Sequence, residues 1–379
     1  MEHQWREGIV YCFKGIGDAM VRLNVNLGDR GYPIYIAGDF AGLGKTCSDA
    51  RLRGKILLIT DSNVEQYYCA DCVSELKMSG AEVLTHVIPA GEQHKTLETV
   101  SNIYRKLIEF KADRNTILVA LGGGVTGDIT GFAAATFMRG VPFIQIPTSL
   151  IAQADSSIGG KTGVDFEGSK NMVGAFYQPR FVYININTLK TLPKREMTSG
   201  LAEVIKHGLI RDADFFRYID HNVDKIYCFD ENVMAYLTKM NCKIKGDVVE
   251  QDERENGLRE ILNFGHTVGH AVESASGFTL LHGECVAIGI AGAYRIAFKL
   301  GMVDEAVVEK VEETLRKIGL PIKAQGMDAK KIFDMMFFDK KVKDGKLNFV
   351  LPKGIGDVIS CTLDNEPLLM EVLSELVAV

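Results

Sequence analysis

Between Arg53 and Leu192 the chain alternates short β-branched runs with stretches of helical periodicity, and this restricts its fold more than any other feature. KILLIT (Lys55–Thr60), EVLTHVI, TILVALGG, FIQIPTS and FVYINI have the length and composition of strands. Strands separated by helices are not joined by tight hairpins, so the alternation predicts a mostly parallel sheet with crossover helices. Ahead of them, MVRLNVNL and YPIYIAG flank Gly28 to Gly31 and predict an antiparallel hairpin at the sheet edge. After TLPKRE (Thr191–Glu196) strand-like runs almost vanish, and apolar residues recur at three- and four-residue steps through Leu315. The expected architecture is α/β: a Rossmann-like domain over 28–192, then an all-α domain over 193–379, with a cleft between them. Residues 1–27 are expected to be an N-terminal extension. DKKVKDGKLNFVL (Asp339–Leu351) predicts a charged loop and one short returning strand.

Composition narrows the function classes. A chain of 379 residues can bury two cores, and its 46% hydrophobic and 24% charged residues are ordinary for a globular protein. The net charge of −6 argues against a nucleic-acid binder. No apolar run reaches the ~20 residues needed to span a bilayer. The start, MEHQWREGIVYCFKG, carries charges where a signal peptide would need an apolar stretch, which points to the cytoplasm. Eight scattered cysteines fit reduced thiols better than a disulfide framework. Cys69 and Cys72 form a CxxC with no second CxxC to complete a four-sulfur site, and are expected to be half-buried helix residues.

Three glycine-rich stretches differ in what they offer. In LVALGGGVTGDITG, Gly122, Gly124 and Gly127 fit G-x-G-x-x-G between a strand and a helix. Such a turn lets backbone approach a pyrophosphate, with helix N–H groups as donors. The usual acidic partner about 20 residues on is missing, and Asp61 at the end of KILLITD is the substitute for a ribose contact. DFAGLGKTC imitates a P-loop, but Asp39 stands where its first glycine should be; Gly42 and Gly44 are expected in a surface loop. DSSIGGKTGVDFEGSKNMVG supplies Asp155, Lys161, Lys170 and Asn171, read as a glycine-rich loop on which cations converge on an anion.

NFGHTVGHAVESASGFTLLHGE holds three of the eight histidines. His266 and His270, four apart, would share a helix face and could chelate one ion. With His282 and with Glu203 of GLAEVIKHG there are four candidate ligands, whereas a catalytic zinc usually takes three protein ligands. Spacing favours keeping His266 with His270 but does not decide which residue is excluded. Arg259, Asn263, His266 and His270 recur at helical steps, so a continuous helix would carry them as one polar stripe facing the cleft. Lys206 and Lys245 add positive charge. A dinucleotide, a divalent metal and several cations together suggest redox chemistry on a metal-held hydroxyl of an anionic substrate.

GGGVTGDITGFAAATFMRG, DSSIGGKTGVDFEGSKNMVGAFYQP, TLPKREMTSGLAEVIKHGLI and LNFGHTVGHAVE…LHGE resemble the 3-dehydroquinate synthases, from about Gly28 to Leu351. The resemblance implies conversion of 3-deoxy-D-arabino-heptulosonate 7-phosphate to 3-dehydroquinate and phosphate by transient oxidation, β-elimination, reduction and aldol closure. It implies NAD and a divalent metal, zinc or cobalt, as cofactors. It also assigns the metal to Glu203, His266 and His282, leaving His270 to face the substrate. Asp155, Lys161, Lys206 and His270 would be catalytic; Arg139, Asn171, Lys245, Arg259, Asn263, Lys340 and Lys341 would bind substrate. Lys245 and Arg259 would grip its carboxylate, and Arg139 would come from the neighbouring subunit of a homodimer. NAD contacts would be Asp61, Asn63, Glu92, Lys95, Gly123, Gly124, Asp128, Thr148, Ser149, Lys161, Lys170 and Thr191. The family pattern has two departures: Ser149 is more often threonine, and Asn185 stands where aspartate is common. The rival readings are a metal-dependent alcohol or glycerol-1-phosphate dehydrogenase, which would consume the cofactor stoichiometrically, and a non-enzymatic nucleotide-binding module.

Overall fold

The computed structural model describes residues 20–277, 279–337, 342–343 and 346–377. Lys340, Lys341 and most of the expected N-terminal extension lie outside the described residues. The first half is built on a seven-stranded sheet containing β1 (Val21–Val25), β2 (Tyr32–Ala37), β3 (Lys55–Asp61), β4 (Glu82–Ile88), β5 (Ile117–Gly122) and β6 (Phe143–Pro147). A hairpin of β7 (Lys161–Phe166) and β8 (Ser169–Phe176) precedes the last sheet strand, β9 (Val182–Asn185). The order across the sheet is β1-β2-β9-β6-β5-β3-β4; β1 is antiparallel to β2 and the other pairs are parallel. The five runs read as strands are all strands, and the edge hairpin is present. Its β1 lies ahead of residue 28, so the sheet begins within the stretch expected to be an extension.

Buried continuous apolar strands explain the pattern: β3 and β5 are covered on both faces, so neither face needs polar residues. Helices α1 (Leu43–Asp49) and α2 (Ala70–Lys77) cover one side, while α3 (Leu97–Glu109) and α4 (Gly124–Thr136) cover the other. Gly44 is not in a surface loop. It lies in α1, where a Cβ would collide with the Glu75 carbonyl of α2, so only glycine permits this helix contact. Cys69 and Cys72 are more buried than expected, at 9% and 0% exposure, and belong to the same apolar layer.

From Lys194 the chain is mainly helical: α5 (Lys194–Arg211), α6 (Ala213–His221), α7 (Val223–Tyr227), α8 (Glu231–Gln251), α9 (His266–Ala275), α10 (His282–Lys299), α11 (Glu305–Ile318) and α12 (Ala329–Met336). The expectation of an all-α half needs correction. An antiparallel sheet of β10 (Val342–Lys343), β11 (Lys346–Gly354) and β12 (Asp357–Leu363) precedes α13 (Glu366–Val377). Its third strand, DVISCTL, has no fully buried residue and so lacks the apolar run that marks buried strands. One apolar core runs from Ile34, Ile36, Val182 and Ile184 of the sheet to Leu201 and Ile205 of α5, so the halves are packed together on that side.

Candidate metal and dinucleotide site

Between β3 and β5 the chain order reverses direction across the sheet, a topological switch point. In such sheets ligands bind beyond the carboxyl ends of the strands at that crevice. Asp61 ends β3 and Gly122 ends β5 there; Gly123 caps α4 and Gly124 begins it. A Cβ on Gly122 would lie 2.6 Å from Thr126 Oγ1 and 2.9 Å from Asp61 Oδ2, so the turn closes only with glycine. Asp61 accepts from the Asn63 and Val64 amides at 2.9 and 3.2 Å and from Thr126 Oγ1 at 3.1 Å, which fixes the exposed Asn63 at the crevice mouth. Thr148 N bonds the Gly122 carbonyl at 2.9 Å, and Ser149 Oγ accepts from Ala152 N at 3.3 Å. Thr191 Oγ1 and the Tyr68 hydroxyl lie 2.6 Å apart. Glu92 is exposed in the short helix before Lys95. Buried Lys95 donates to Asp128 of α4 at 2.6 Å and to Asn171 at 2.5 Å.

The stretch read as a glycine-rich loop is the β7–β8 hairpin. Gly163 and Gly174 face each other in its ladder, where a Cβ on Gly174 would meet the Thr162 carbonyl. Lys161 opens β7 and pairs with Glu255, which also accepts from Asn263 Nδ2 at 2.8 Å. Lys170 and Asn171 are consecutive in β8; Lys170 pairs with Glu273 of α9 at 2.8 Å. Asn171 has φ +53°, and its amide donates to Asp165 at 2.8 Å. Arg139 also has positive φ, +68°, in the turn after α4.

The polar stripe is interrupted. Leu258–Asn263 is a short 3-10 turn, Gly265 has φ +77°, and α9 starts at His266. The break turns His266 to the start of its own helix. Its Nδ1 lies 3.0 Å from the Phe264 carbonyl, so the N–H is there and Nε2 carries the lone pair. His282 likewise begins α10. The residue after it, Gly283, abuts α5 so closely that a Cβ would strike the Ser199 carbonyl; Gly289 meets the Gly265 carbonyl in the same way. These two contacts bring α10 against both α5 and α9. Glu284 holds the turn by accepting from Leu281 N at 2.8 Å and pairing with Arg195 at 2.7 Å.

The result is a convergence on Glu203, which is fully buried in α5. The Nε2 atoms of His266 and His282 each lie 3.5 Å from Glu203 Oε1, and that oxygen has no hydrogen bond. Its other oxygen accepts from Lys206. An unpartnered buried carboxylate oxygen faced by two ring nitrogens is what a divalent cation would satisfy. The groups titrate accordingly. Burial pushes the Glu203 carboxyl up, but Lys206, His282 and His266 hold it well below the usual range. Burial and Lys206 keep His266 neutral, the form that ligates a metal. Burial opposes charge on His282 too, yet the neighbouring Glu203 and Glu273 carboxylates raise it to about 9. The His282 side chain is 34% exposed against 0% for Glu203, so the cluster opens on that side. His270 stays close, its ring 5.2 Å from His266 and 5.9 Å from His282, and it groups with Glu273 and His282 as a second possible ligand set. Spacing favoured His266 with His270, whereas the group around Glu203 joins His266 with His282.

Lys245 of α8 pairs with Asp155 Oδ1 at 2.6 Å and also donates to the Asp155 carbonyl. Burial drives Lys245 down to about 8 despite that carboxylate, and Arg259 nearby adds to the effect. Buried Arg259 donates to the carbonyls of Glu253 and Gly159, the latter at 3.1 Å, and its Nε has no partner.

Three residues escaped the sequence reading. Glu255 sits in the charge run QDEREN, which looks like a solvated surface. Glu273 follows His270 by three residues and faces His282 Nδ1 at 3.6 Å. His207 follows Glu203 by four, a spacing that could have found it; buried, its Nδ1 lies 2.6 Å from Asn241 Oδ1, and it can share a ligand cage with Asp155 and Glu203.

Residues 85–199 match the family description for the 3-dehydroquinate synthase N-terminal part and 200–342 the C-terminal part. The 3-dehydroquinate synthases of Acetivibrio thermocellus and Ruminiclostridium cellulolyticum are each 58% identical, covering 94% of this chain and 99% of theirs. A solved 2-deoxy-scyllo-inosose synthase, complexed with carbaglucose-6-phosphate, NAD+ and Co2+, superposes with TM-score 0.86 at 28% identity, over 94% of this chain and all of that one. The 2-epi-5-epi-valiolone synthase of Streptomyces hygroscopicus subsp. jinggangensis, with NAD+ and Zn2+, gives 0.84 at 27%, over 91% and 96%. The NADH-dependent butanol dehydrogenase of Thermotoga maritima, at 0.65 and 16% over 91% and 96%, shares the fold. By sequence along nearly its whole length, the chain belongs to the 3-dehydroquinate synthase family.

Proposed function

We propose that the chain is a 3-dehydroquinate synthase, a carbon–oxygen lyase that converts 3-deoxy-D-arabino-heptulosonate 7-phosphate to 3-dehydroquinate and phosphate. The observation that carries this reading is the buried, unpartnered Glu203 Oε1 between two ring nitrogens, with buried Lys206 on its other oxygen and buried Lys245 and Arg259 near Asp155. Glu203, His266 and His282 would hold a divalent ion, zinc or cobalt, and NAD would lie along the α4 glycine turn at the switch point. When bound, the ion supplies a Lewis acid for substrate hydroxyls and NAD supplies a reversible hydride acceptor.

The chain's own residues account for the rest. Lys245 and Arg259 bring two cations to one side of Asp155, suited to a carboxylate, which a guanidinium grips at two points. Relatives that cyclise substrates without a carboxylate have no need of that arginine. Lys161 and Asn263 are held by the Glu255 carboxylate, and an incoming phosphate would compete for the same two donors. Lys245 and Lys206 hold Asp155 ionised below the usual carboxylate range against the effect of burial, ready to accept from a substrate hydroxyl. His270, beside the ligand set, would contact the same substrate, and Asn171 would add a polar contact. In this reading Arg139 reaches the phosphate of the neighbouring subunit in a homodimer. Among the described residues no helix is long and apolar enough to cross a membrane. The described cysteines are unbridged, which suits the reducing cytoplasm.

The test is phosphate release from 3-deoxy-D-arabino-heptulosonate 7-phosphate with catalytic NAD and zinc, alongside a chelator control. Metal-dependent release with dehydroquinate formed and no net NADH is expected. Steady NADH production from a polyol, without phosphate release, would instead assign the chain to the dehydrogenases.

A further inference from the structure

A row of charged groups crosses from the sheet half to the ligand cluster. Lys170 Nζ of β8 lies 2.8 Å from Glu273 Oε1 of α9, and Glu273 Oε2 lies 3.6 Å from His282 Nδ1. On the far side of the same ring, His282 Nε2 lies 3.5 Å from Glu203 Oε1. An imidazole binds an ion through one nitrogen only when its proton sits on the other, so the group facing Nδ1 decides whether Nε2 is available. Glu273 is 6% exposed and is the carboxylate that meets Nδ1. Its Oε1 accepts from Lys170, and its Oε2 faces the ring nitrogen on the side away from Glu203. Glu273 also stands within reach of a ligand set with His270 and His282, but it meets His282 through Nδ1, the nitrogen opposite the one that faces Glu203.

The lysine comes from the other half of the molecule. Beside it in β8, Asn171 accepts from Lys95, which also holds Asp128 of α4, so the hairpin is tied to the helix that follows the glycine turn. We propose that Glu273 is a positioning residue for His282, and that Lys170 ties this carboxylate to the β7–β8 hairpin, so that hairpin placement and ion affinity are linked. The inference rests on reading Glu203, His266 and His282 as an ion site.

The experiment uses the full chain stripped of metal and titrated with Co2+, following the visible absorption of the bound ion. Glu273→Gln should weaken Co2+ binding by about 10- to 100-fold with the absorption band shape kept, as is common when the partner of a ligating histidine is lost. Lys170→Met, which alters a partly exposed side chain and leaves the core intact, should weaken it several-fold. If the lysine acts through the carboxylate, the double variant should be no weaker than Glu273→Gln alone, since coupled residues do not add. Additive losses, or Co2+ affinity within twofold of wild type in Glu273→Gln, would overturn the proposal. So would complete loss of binding with a changed spectrum in folded Glu273→Gln, which would make Glu273 a ligand. Glu203→Ala distinguishes the two layers: if it leaves Co2+ binding intact, it is the ion-site reading that fails.

Discussion

The two halves of the molecule build their candidate sites by different means. At the switch point the site is made of backbone: Gly122, Gly123 and Gly124 close a turn, and side chains such as Asp61 and Thr126 brace it locally. In the helical half it is made of side chains brought from three helices, Glu203 of α5, His266 of α9 and His282 of α10, spread over some eighty residues of sequence. A backbone site is contiguous in sequence, whereas a convergent one depends on how helices pack. Damage should therefore stay local in the first and be selective for the ion and substrate in the second.

The largest effect should come from Glu203→Ala. Lewis-acid stabilisation contributes several kcal/mol, so phosphate release should fall by about a thousandfold or more while NAD affinity stays within a few-fold. A parallel loss of NAD binding, measured by titration, would erase the distinction between the halves. Gly122→Ala probes the other half: the added Cβ must displace Thr126 or Asp61, and NAD should bind about tenfold more weakly with Co2+ affinity unchanged. The smallest effect concerns pH. Because Lys245 is lowered to about 8, its ammonium is lost as pH rises through that value, whereas an unfolded lysine keeps its proton to about 10.4. KM for the substrate should rise a few-fold between pH 8 and 9 while NAD affinity stays flat; a flat KM would remove Lys245 from the substrate contacts.

The same contrast explains what could be read from the sequence. The five buried strands and the glycine turn announced themselves, because burial on both faces leaves an unbroken β-branched run and a tight turn leaves glycines in a row. The β7–β8 hairpin did not, since its exposed positions and glycines mimic a loop. Choosing among the four possible ligands was beyond spacing alone: His266 and His270 are helical neighbours, but the left-handed Gly265 starts a new helix at His266 and aims it at Glu203. The resemblance to a known family made that choice, and Glu203, His266 and His282 form one of the possible ligand groups. Glu255 was hidden for a similar reason, as a charge in a polar run gives no sign that it faces inward onto Lys161 and Asn263.

The unpartnered Glu203 oxygen has a thermodynamic consequence. A buried carboxylate oxygen without a hydrogen bond destabilises the folded chain by roughly 1–3 kcal/mol or more, and a bound cation removes that penalty only in the folded form. The melting temperature should therefore track free metal, each tenfold rise above the dissociation constant adding about 1.4 kcal/mol to the unfolding free energy. The ion would then serve as a folding ligand as well as a catalytic one, and scarcity of metal would reduce the amount of intact protein as well as its turnover.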